Sequence, residues 1–247
     1  YALDKTDKHS IVAQYSRSIS RPSFWNLTPR RMQISDYTYQ TGNPALRPQF
    51  VNQYSLTAVL GYKYSLTFVV QNMKDDIQQK IVGDSTNPDM MNLTHENLPT
   101  TNQYAVVASL PITLAKWWDW NTNLTGGILE QRLDATAPKT NKPFGQWYTA
   151  MTFKLPKKFF VDVDYSGMTG LEISNLKTSA NHSLNMNFKK LIKDSWILQI
   201  GLQKLVRQRN SLISSNEDFT REVEVFGQGQ DFNVRFSVTW NFKSGKQ

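Results

Sequence analysis

Near its C-terminus the sequence reads Phe232-Asn233-Val234-Arg235-Phe236-Ser237-Val238-Thr239-Trp240-Asn241-Phe242. Apolar and polar side chains alternate without a break, and successive side chains of a β-strand point to opposite faces of its sheet. The stretch therefore predicts a strand with one wholly apolar face and one wholly polar face. A tilted strand needs about 9 to 11 residues to cross a membrane, and this stretch is long enough.

The same alternation recurs along the rest of the chain. It predicts nine further strands at residues 11–19, 53–60, 64–72, 103–114, 120–128, 151–155, 161–165, 184–188 and 196–202. Strands of soluble proteins average about 5 to 6 residues, and several of these are longer. We therefore expect an all-β chain of about ten antiparallel strands.

The connections between these strands alternate in length. Short turns are predicted near residues 61–63, 116–119, 156–158 and 192–194, and long connections at residues 20–52, 73–102, 130–144, 168–181 and 207–230. Outer-membrane barrels have short periplasmic turns and long outer loops. The pattern predicts an up-and-down transmembrane β-barrel, whose polar strand faces line a wet interior.

Composition agrees with this interpretation. No run approaches the roughly 18 consecutive apolar residues of a spanning helix, which excludes a helical membrane protein. In a barrel only every second residue faces lipid, so the 39% hydrophobic content is compatible with membrane residence. The absence of cysteine excludes a disulfide scaffold and a thiolate metal site. The net charge of +8 is scattered, so we expect acidic lipid or lipopolysaccharide as neighbours and no nucleic acid.

Aromatic residues separate this prediction from a soluble β-sandwich or soluble barrel, which also alternates polar and apolar residues. Large rings collect beside the predicted turns, and such rings form the girdles at the two edges of a membrane-spanning band. The rings in question are Trp117, Trp118, Trp120, Trp147, Phe159, Phe160, Trp196 and Trp240.

Two motifs carry a family resemblance. The first is Tyr15-Ser16-Arg17-Ser18-Ile19-Ser20-Arg21-Pro22, followed by Leu27-Thr28-Pro29, and the second is Tyr39-Gln40-Thr41-Gly42-Asn43-Pro44-Ala45-Leu46-Arg47-Pro48-Gln49. Together they resemble the C-terminal barrel half of TonB-dependent outer-membrane receptors, in particular the outer membrane protein beta-barrel family. The resemblance extends through Lys74-Asp75-Asp76-Ile77 to the last strand. In physical terms, Pro22 is expected to end the first strand and Gly42-Asn43-Pro44 to form a turn.

The resemblance implies a location and a function. It implies a 22-stranded barrel in a Gram-negative outer membrane that takes up a nutrient or chelate, plugged by an N-terminal domain that contacts the TonB energy-coupling complex. Residues 1–247 would be a single barrel segment of such a receptor, because ten strands are present and no stretch resembles the plug or the TonB-contacting box. A surface lipoprotein could bind the outer loops, and Arg17 and Arg21 could contact lipopolysaccharide phosphates or barrel-wall acids.

No enzymatic motif is present, and we predict no catalytic, cofactor-binding or metal-binding residue. Two alternatives remain open. One is a structural or adhesive barrel that transports nothing, with residues 84–101 and 210–224 as candidate binding loops. The other is a ten-stranded protease of the omptin type. Its only candidates are Asp75 and Asp76, expected at an outer strand end, and His95, expected in the following loop, although adjacent acids on a strand point to opposite faces. His9 and His182 lie far from these in sequence.

Overall fold

The computed structural model describes residues 8–134, 136–193, 195–206, 210–215, 220–225 and 231–242. In chain order the elements are β1 (His9–Ser20), α1 (Phe24–Leu27), β2 (Met32–Ser35), β3 (Thr38–Gln40), β4 (Gln49–Leu60), β5 (Tyr64–Gly83), β6 (Met91–Ala115), β7 (Trp118–Arg132), β8 (Thr140–Leu155), β9 (Phe159–Met168), β10 (Glu172–Ile173), β11 (Leu176–Thr178), β12 (Asn181–Ile192), β13 (Trp196–Gln203), β14 (Asn210–Ser215), β15 (Thr220–Val225) and β16 (Asn233–Trp240). A short 3₁₀ turn, Pro156–Lys158, joins β8 to β9.

Ten of these strands form one antiparallel wall in the order β1-β4-β5-β6-β7-β8-β9-β12-β13-β16. They are the ten strands that the alternation predicts, so that prediction is confirmed. The short turns β4–β5, β6–β7, β8–β9 and β12–β13 share one edge, and the long connections share the other. Among the described residues, β1 pairs with β4 alone and β16 with β13 alone, so the wall is an open sheet.

One face of the wall is apolar across all ten strands. Residues paired across an antiparallel ladder share a face, and the register aligns Leu56, Phe68 and Val106 in one row. Further along, it aligns Phe188, Ile200 and Phe236 in another. Leu56 is 48% exposed, Phe68 50% and Phe236 73%. A wide exposed apolar face is costly in water and is the surface that lipid requires.

The opposite face of the wall is polar. Gln71 lies between Gln53 and Gln103 in the register and donates to the Gln53 side chain at 2.7 Å. On the far half, Thr152 donates to Asp162 at 2.8 Å, and Asn185 donates to Asp164 at 2.6 Å. These neighbouring strands bond to one another through their side chains as well as their backbones. This face is suited to a water-filled lumen.

On the side of the long connections, the apolar face stops at a row of polar side chains. Asn72 donates to Asn102 at 2.6 Å, Asn102 donates to Glu130 at 2.6 Å, and Lys139 lies 2.9 Å from Glu130. Ten residue steps along β7 separate Glu130 from Trp120 near the short turns. At about 3.4 Å per residue and a tilt of about 40°, this corresponds to about 26 Å along the membrane normal. The apolar band of outer-membrane barrels is about 25 Å tall.

The prediction that residues 73–102 form one long connection is wrong for most of this range. β5 continues to Gly83 and β6 starts at Met91, so only residues 84–90 form a loop. The backbone of Asp75 is left-handed, with φ of +54°, and faces Pro99 across the hairpin. Residues three apart in a regular strand point to opposite faces, but Met73 and Asp76 line the same cavity. The alternation of faces therefore changes phase between them. Because the phase changes, a strict period of two stops at residue 73.

The other long connections also contain strands. β2 pairs with β3, and β3 pairs in parallel with β6. β10, β11, β14 and β15 form a separate four-stranded sheet, so the predicted loop at residues 210–224 is largely a hairpin. Parts of the predicted long connection at residues 207–230 lie outside the described residues. No helix in the described ranges is long and apolar enough to cross a membrane.

Candidate functional site

The second family motif forms a strap across the hairpin of β5 and β6. We call residues 38–49 the strap. The backbone N–H of Thr41 donates to the carbonyl of Leu93 at 3.1 Å, and the Asn43 side chain donates to the carbonyl of His95 at 3.0 Å. Asn97 closes a two-way contact, because its side chain accepts from the Arg47 N–H at 2.8 Å and donates to the Arg47 carbonyl at 3.0 Å.

The two motifs of the sequence contact each other at Gly42. The Gly42 N–H donates to the carbonyl of Thr28 at 2.8 Å, and the Asn43 N–H donates to the carbonyl of Asn26 at 2.6 Å. A Cβ added at Gly42 would lie 2.5 Å from the Thr28 oxygen, so only glycine allows this close approach. The resemblance therefore rests on two segments that form one local structure. The first strand ends at Ser20, just before Pro22, as predicted.

The two adjacent acids of the protease alternative are already engaged. Asp75 forms an ion pair with Arg47 at 2.6 Å. Asp76 is 1% exposed and accepts from the amides of Gln49 and Gln78 at 2.9 and 3.0 Å. Both acids lie within β5, not at a strand end as expected. The sequence prediction that adjacent acids face apart is consistent with these separate partners.

His95 lies in β6 and not in a loop, so its predicted placement is wrong. It pairs in register with Gln79, three residues along β5 from Asp76, or about 10 Å at 3.3 Å per residue. Burial lowers the pKa of His95, which favours its neutral form. The other two histidines lie in β1 and β12, and His182 shares a 2.9 Å hydrogen bond with Tyr165. No group of three or more metal-ligating side chains occurs among the described residues.

Asp84 fastens the tip of the β5–β6 hairpin. Its carboxylate accepts from the hydroxyl and N–H of Thr86 at 2.6 and 2.7 Å, and from the N–H of Asn87 at 3.2 Å. The Tyr39 hydroxyl of the strap also donates to it at 2.7 Å. These donors, led by the Thr86 hydroxyl, hold the pKa of Asp84 well below its ordinary value. Arg31 lies 3.8 Å from the same carboxylate and 3.7 Å from the centre of the Tyr39 ring.

The four-stranded sheet docks on this hairpin, and we call it the lid. The Asn175 side chain donates to the carbonyl of Ile81 at 2.6 Å and accepts from its N–H at 3.2 Å. Ser174 donates to Glu96 at 2.7 Å. Leu176 forms a small core with Ile81 and Met91. The lid is thus held over the polar face of the wall at its outer end.

A cavity of about 320 Å³ lies between the lid and the polar face of the wall. Its lining comes from β5, β6, β7 and β8 and from the segment that leads into the lid: Met73, Asp76, Gln78, Thr101, Gln103, Leu129, Gln131, Phe144, Gly145, Gln146, Met168, Thr169, Leu171 and Ile173. Thr101 is 1% exposed and Gln131 is 2% exposed. Among the residues that the structure describes, neither the Thr101 hydroxyl nor the Gln131 Nε2 has a hydrogen-bond partner.

Glycines on neighbouring strands shape two aromatic contacts of β8. A Cβ at Gly127 would lie 2.8 Å from the ring of Phe144, its register partner on β8. A Cβ at Gly167 would lie 2.5 Å from the ring of Trp147. Both rings therefore pack against a neighbouring strand at a position that carries no side chain. Trp147, expected beside a turn, lies inside β8, where the glycine accommodates it.

The sequence did not indicate the cavity. Thr101 and Gln131 are ordinary members of polar strand faces, and no motif distinguishes them. The signal that could have found them is the pairing register, which brings them directly opposite each other. That register depends on strand extensions that the sequence pattern did not predict.

Comparison with known proteins agrees with the all-β barrel wall. The sequence profile of the outer membrane protein beta-barrel family matches residues 1–240. The chain belongs to the outer membrane protein beta-barrel family. Among curated protein sequences, none matches it. Family membership places this barrel chain in the outer membrane, as the sequence predicted.

Solved receptors share the fold of this barrel chain. The siderophore receptor PirA from Pseudomonas aeruginosa is 13% identical, with a TM-score of 0.62 over 95% of this chain and 40% of that one. The ferric enterobactin receptor PfeA from Pseudomonas aeruginosa, in complex with enterobactin, is 13% identical, with a TM-score of 0.57 over 85% and 34%. The FpvAI–pyocin S2 complex gives 15% identity and a TM-score of 0.58 over 97% and 31%. The chain thus spans 31% to 40% of these relatives.

Proposed function

We propose that residues 1–247 form one segment of the barrel wall of a TonB-dependent receptor, which takes up a nutrient or chelate across the outer membrane. The observation that carries this proposal is the pair of edge strands. Every described residue of β16 is exposed, and so are the last ten residues of β1, on both faces. A strand edge with free N–H and C=O groups is not tolerated in lipid, so further strands must close this wall.

The comparisons support a larger barrel. Each solved relative is a longer chain, of which this one covers a minority. Barrels of 22 strands have a lumen wide enough to need a plug. Such a plug, carried elsewhere in the receptor, would contact the polar wall face and the TonB complex. The polar face described above suits a moving, hydrated plug, since it offers polar side chains along the wall strands.

Two further partners belong to this proposal. Basic side chains stand at the outer boundary of the apolar band, and the fork of Arg17 or Arg132 suits lipopolysaccharide phosphates. The outer surface of the lid is our candidate for contact with a surface lipoprotein, because the lid docks on the part of the β5–β6 hairpin beyond the apolar band. Both contacts would leave the lumen free for transport.

Energised accumulation of ligand tests the proposal. A strain that lacks the gene is compared with the same strain expressing the whole receptor, using labelled ferric siderophores, cobalamin and neutral oligosaccharides. We expect accumulation of at least one ligand that requires the receptor and is abolished by a protonophore. Receptor-dependent entry that a protonophore leaves unchanged would contradict TonB coupling. No receptor-dependent entry at all would favour a structural or adhesive barrel.

A further inference from the structure

We propose that the cavity under the lid binds an uncharged, hydroxyl-rich ligand the size of one or two sugar rings. This inference rests on the proposed function and names the ligand class that the receptor would take. Its starting point is the size of this partly open cavity. A volume of about 320 Å³ lies at the lower end of the range for small-molecule sites, about 300 to 1,000 Å³. That size suits a mono- or disaccharide better than a bulky metal chelate.

The charge of the cavity argues against an anionic ligand. None of its described lining residues is Lys, Arg or His, and one is the buried acid Asp76. The nearest basic residue of the strap, Arg47, already pairs with Asp75. An anion placed here would lose its hydration and gain no counter-charge, while the buried carboxylate would repel it.

The polar atoms of the cavity need partners that a hydroxyl group can provide. Thr101 and Gln131 are nine-tenths or more buried, line the cavity and leave a hydroxyl and an amide N–H unpaired among the described residues. An unpaired buried polar group is costly. A sugar hydroxyl both donates and accepts, so one such group can satisfy either atom. Gln103 and Gln146 supply further amides in the same lining.

The apolar part of the lining suits the ring carbons of a sugar. Phe144, Leu129 and Met73 line the wall side, and Leu171 and Ile173 line the lid side. The negative face of an aromatic ring attracts the weakly positive C–H groups of a neighbouring ligand. A pocket with apolar walls and a few convergent polar groups is the usual form of a specific small-molecule site.

Binding to the whole receptor tests this proposal directly. The purified receptor in detergent is titrated by calorimetry with glucose, galactose, mannose, N-acetylglucosamine, maltose, cellobiose and xylobiose. Each sugar is raised to about 10 mM, at which a site with a Kd of about 1 mM is mostly filled. Ferric citrate and a ferric tris-catecholate serve as anionic probes. We expect at least one neutral sugar and neither anion to bind; binding of none of the seven sugars would overturn the proposal.

Two variants locate the site. Thr101→Val and Gln131→Leu each remove one unpaired polar group, and each is expected to weaken sugar binding about fivefold or more, the value of one hydrogen bond. Without ligand, both variants should unfold at the same or a higher temperature than the parent, because an unpaired buried group has been removed. Weaker binding together with a lower unfolding temperature would mean a structural role and would count against the proposal.

The matched control is Gln199→Leu. Gln199 lies on the same polar wall face in β13 and is not among the described residues that line the cavity. Its amide donates to Asn187 at 3.3 Å. Its substitution should leave sugar binding unchanged, and an equal loss there would overturn the assignment to the cavity. Protonophore-sensitive uptake of an anionic chelate would refute the inference and leave transport standing. Sugar binding without energised uptake would support the sugar site and contradict the proposed transport function.

Discussion

At the residue scale, alternating side-chain chemistry decides which atoms meet lipid. Phe236 lies in a row with Ile200 and Phe188, whereas Ser237 lies opposite Gln199 on the polar face. This facing follows from the sequence alone because a strand turns each side chain by half a revolution. The structure adds the cross-strand partner of each paired residue, which alternation cannot give.

Arginine substitutions at adjacent positions test this facing. Phe236 is four residues from Trp240, which places it near the middle of the apolar band. Phe236→Arg should lower the free energy of unfolding in lipid by about 2 to 4 kcal/mol, and Ser237→Arg by much less. Denaturant titration of the whole barrel in vesicles measures both. Equal losses at the two positions would contradict the facing.

The pH dependence of the hairpin tip tests the role of Asp84. Its pKa is lowered in the folded protein, so its hydrogen bonds stabilise the tip above the ordinary value of 3.8 and are lost as pH falls toward the lower folded value. We expect hydrogen exchange at Thr86 and Asn87, corrected for intrinsic rates, to stay slow from neutral pH down to about 4. Loss of protection centred above pH 5 in the parent would show that this carboxylate does not fasten the tip.

At the element scale, the ten wall strands were predictable and the outer additions were not. The wall strands alternate over many residues, and that signal is local. β5 and β6 extend beyond the membrane with polar residues on both faces and a change of phase at Asp75, so period two disappears there. β10 has two residues and β11 three. They pair with each other, but β11 also pairs with β14, where Leu176 lies opposite Ser214 far along the chain. No local pattern encodes pairing of such short strands, and the cavity beneath them was missed for the same reason.

The left-handed backbone at Asp75 offers a test of the phase change. Asn tolerates this conformation, whereas the β-branched Val does not. Both Asp75→Asn and Asp75→Val remove the ion pair with Arg47, so their difference isolates the backbone. We expect Val to cost about 1 to 2 kcal/mol more than Asn in thermal or denaturant unfolding. Equal stability of the two variants would mean that the left-handed turn does not constrain the hairpin.

At the scale of the whole molecule, an open wall in a membrane requires closure. The apolar face, the polar face and the two boundaries are consistent with about 25 Å of lipid, while within the described part of the chain β1 pairs in the sheet only with β4 and β16 only with β13. A lid, a strap and a cavity all lie at one end, on the side of the long connections. This polarity is what a receptor that takes ligand from outside requires, because the ligand site must precede the lumen.

The central claim is that this wall belongs to a larger, closed outer-membrane receptor. The most direct test is the intact mass of the native protein recovered from outer-membrane fractions, with heat-modifiable gel mobility as the check that the barrel is folded. The account predicts a heat-modifiable species much heavier than the 28.4 kDa of these 247 residues. A heat-modifiable species of 28.4 kDa would show a free-standing small barrel and would contradict it.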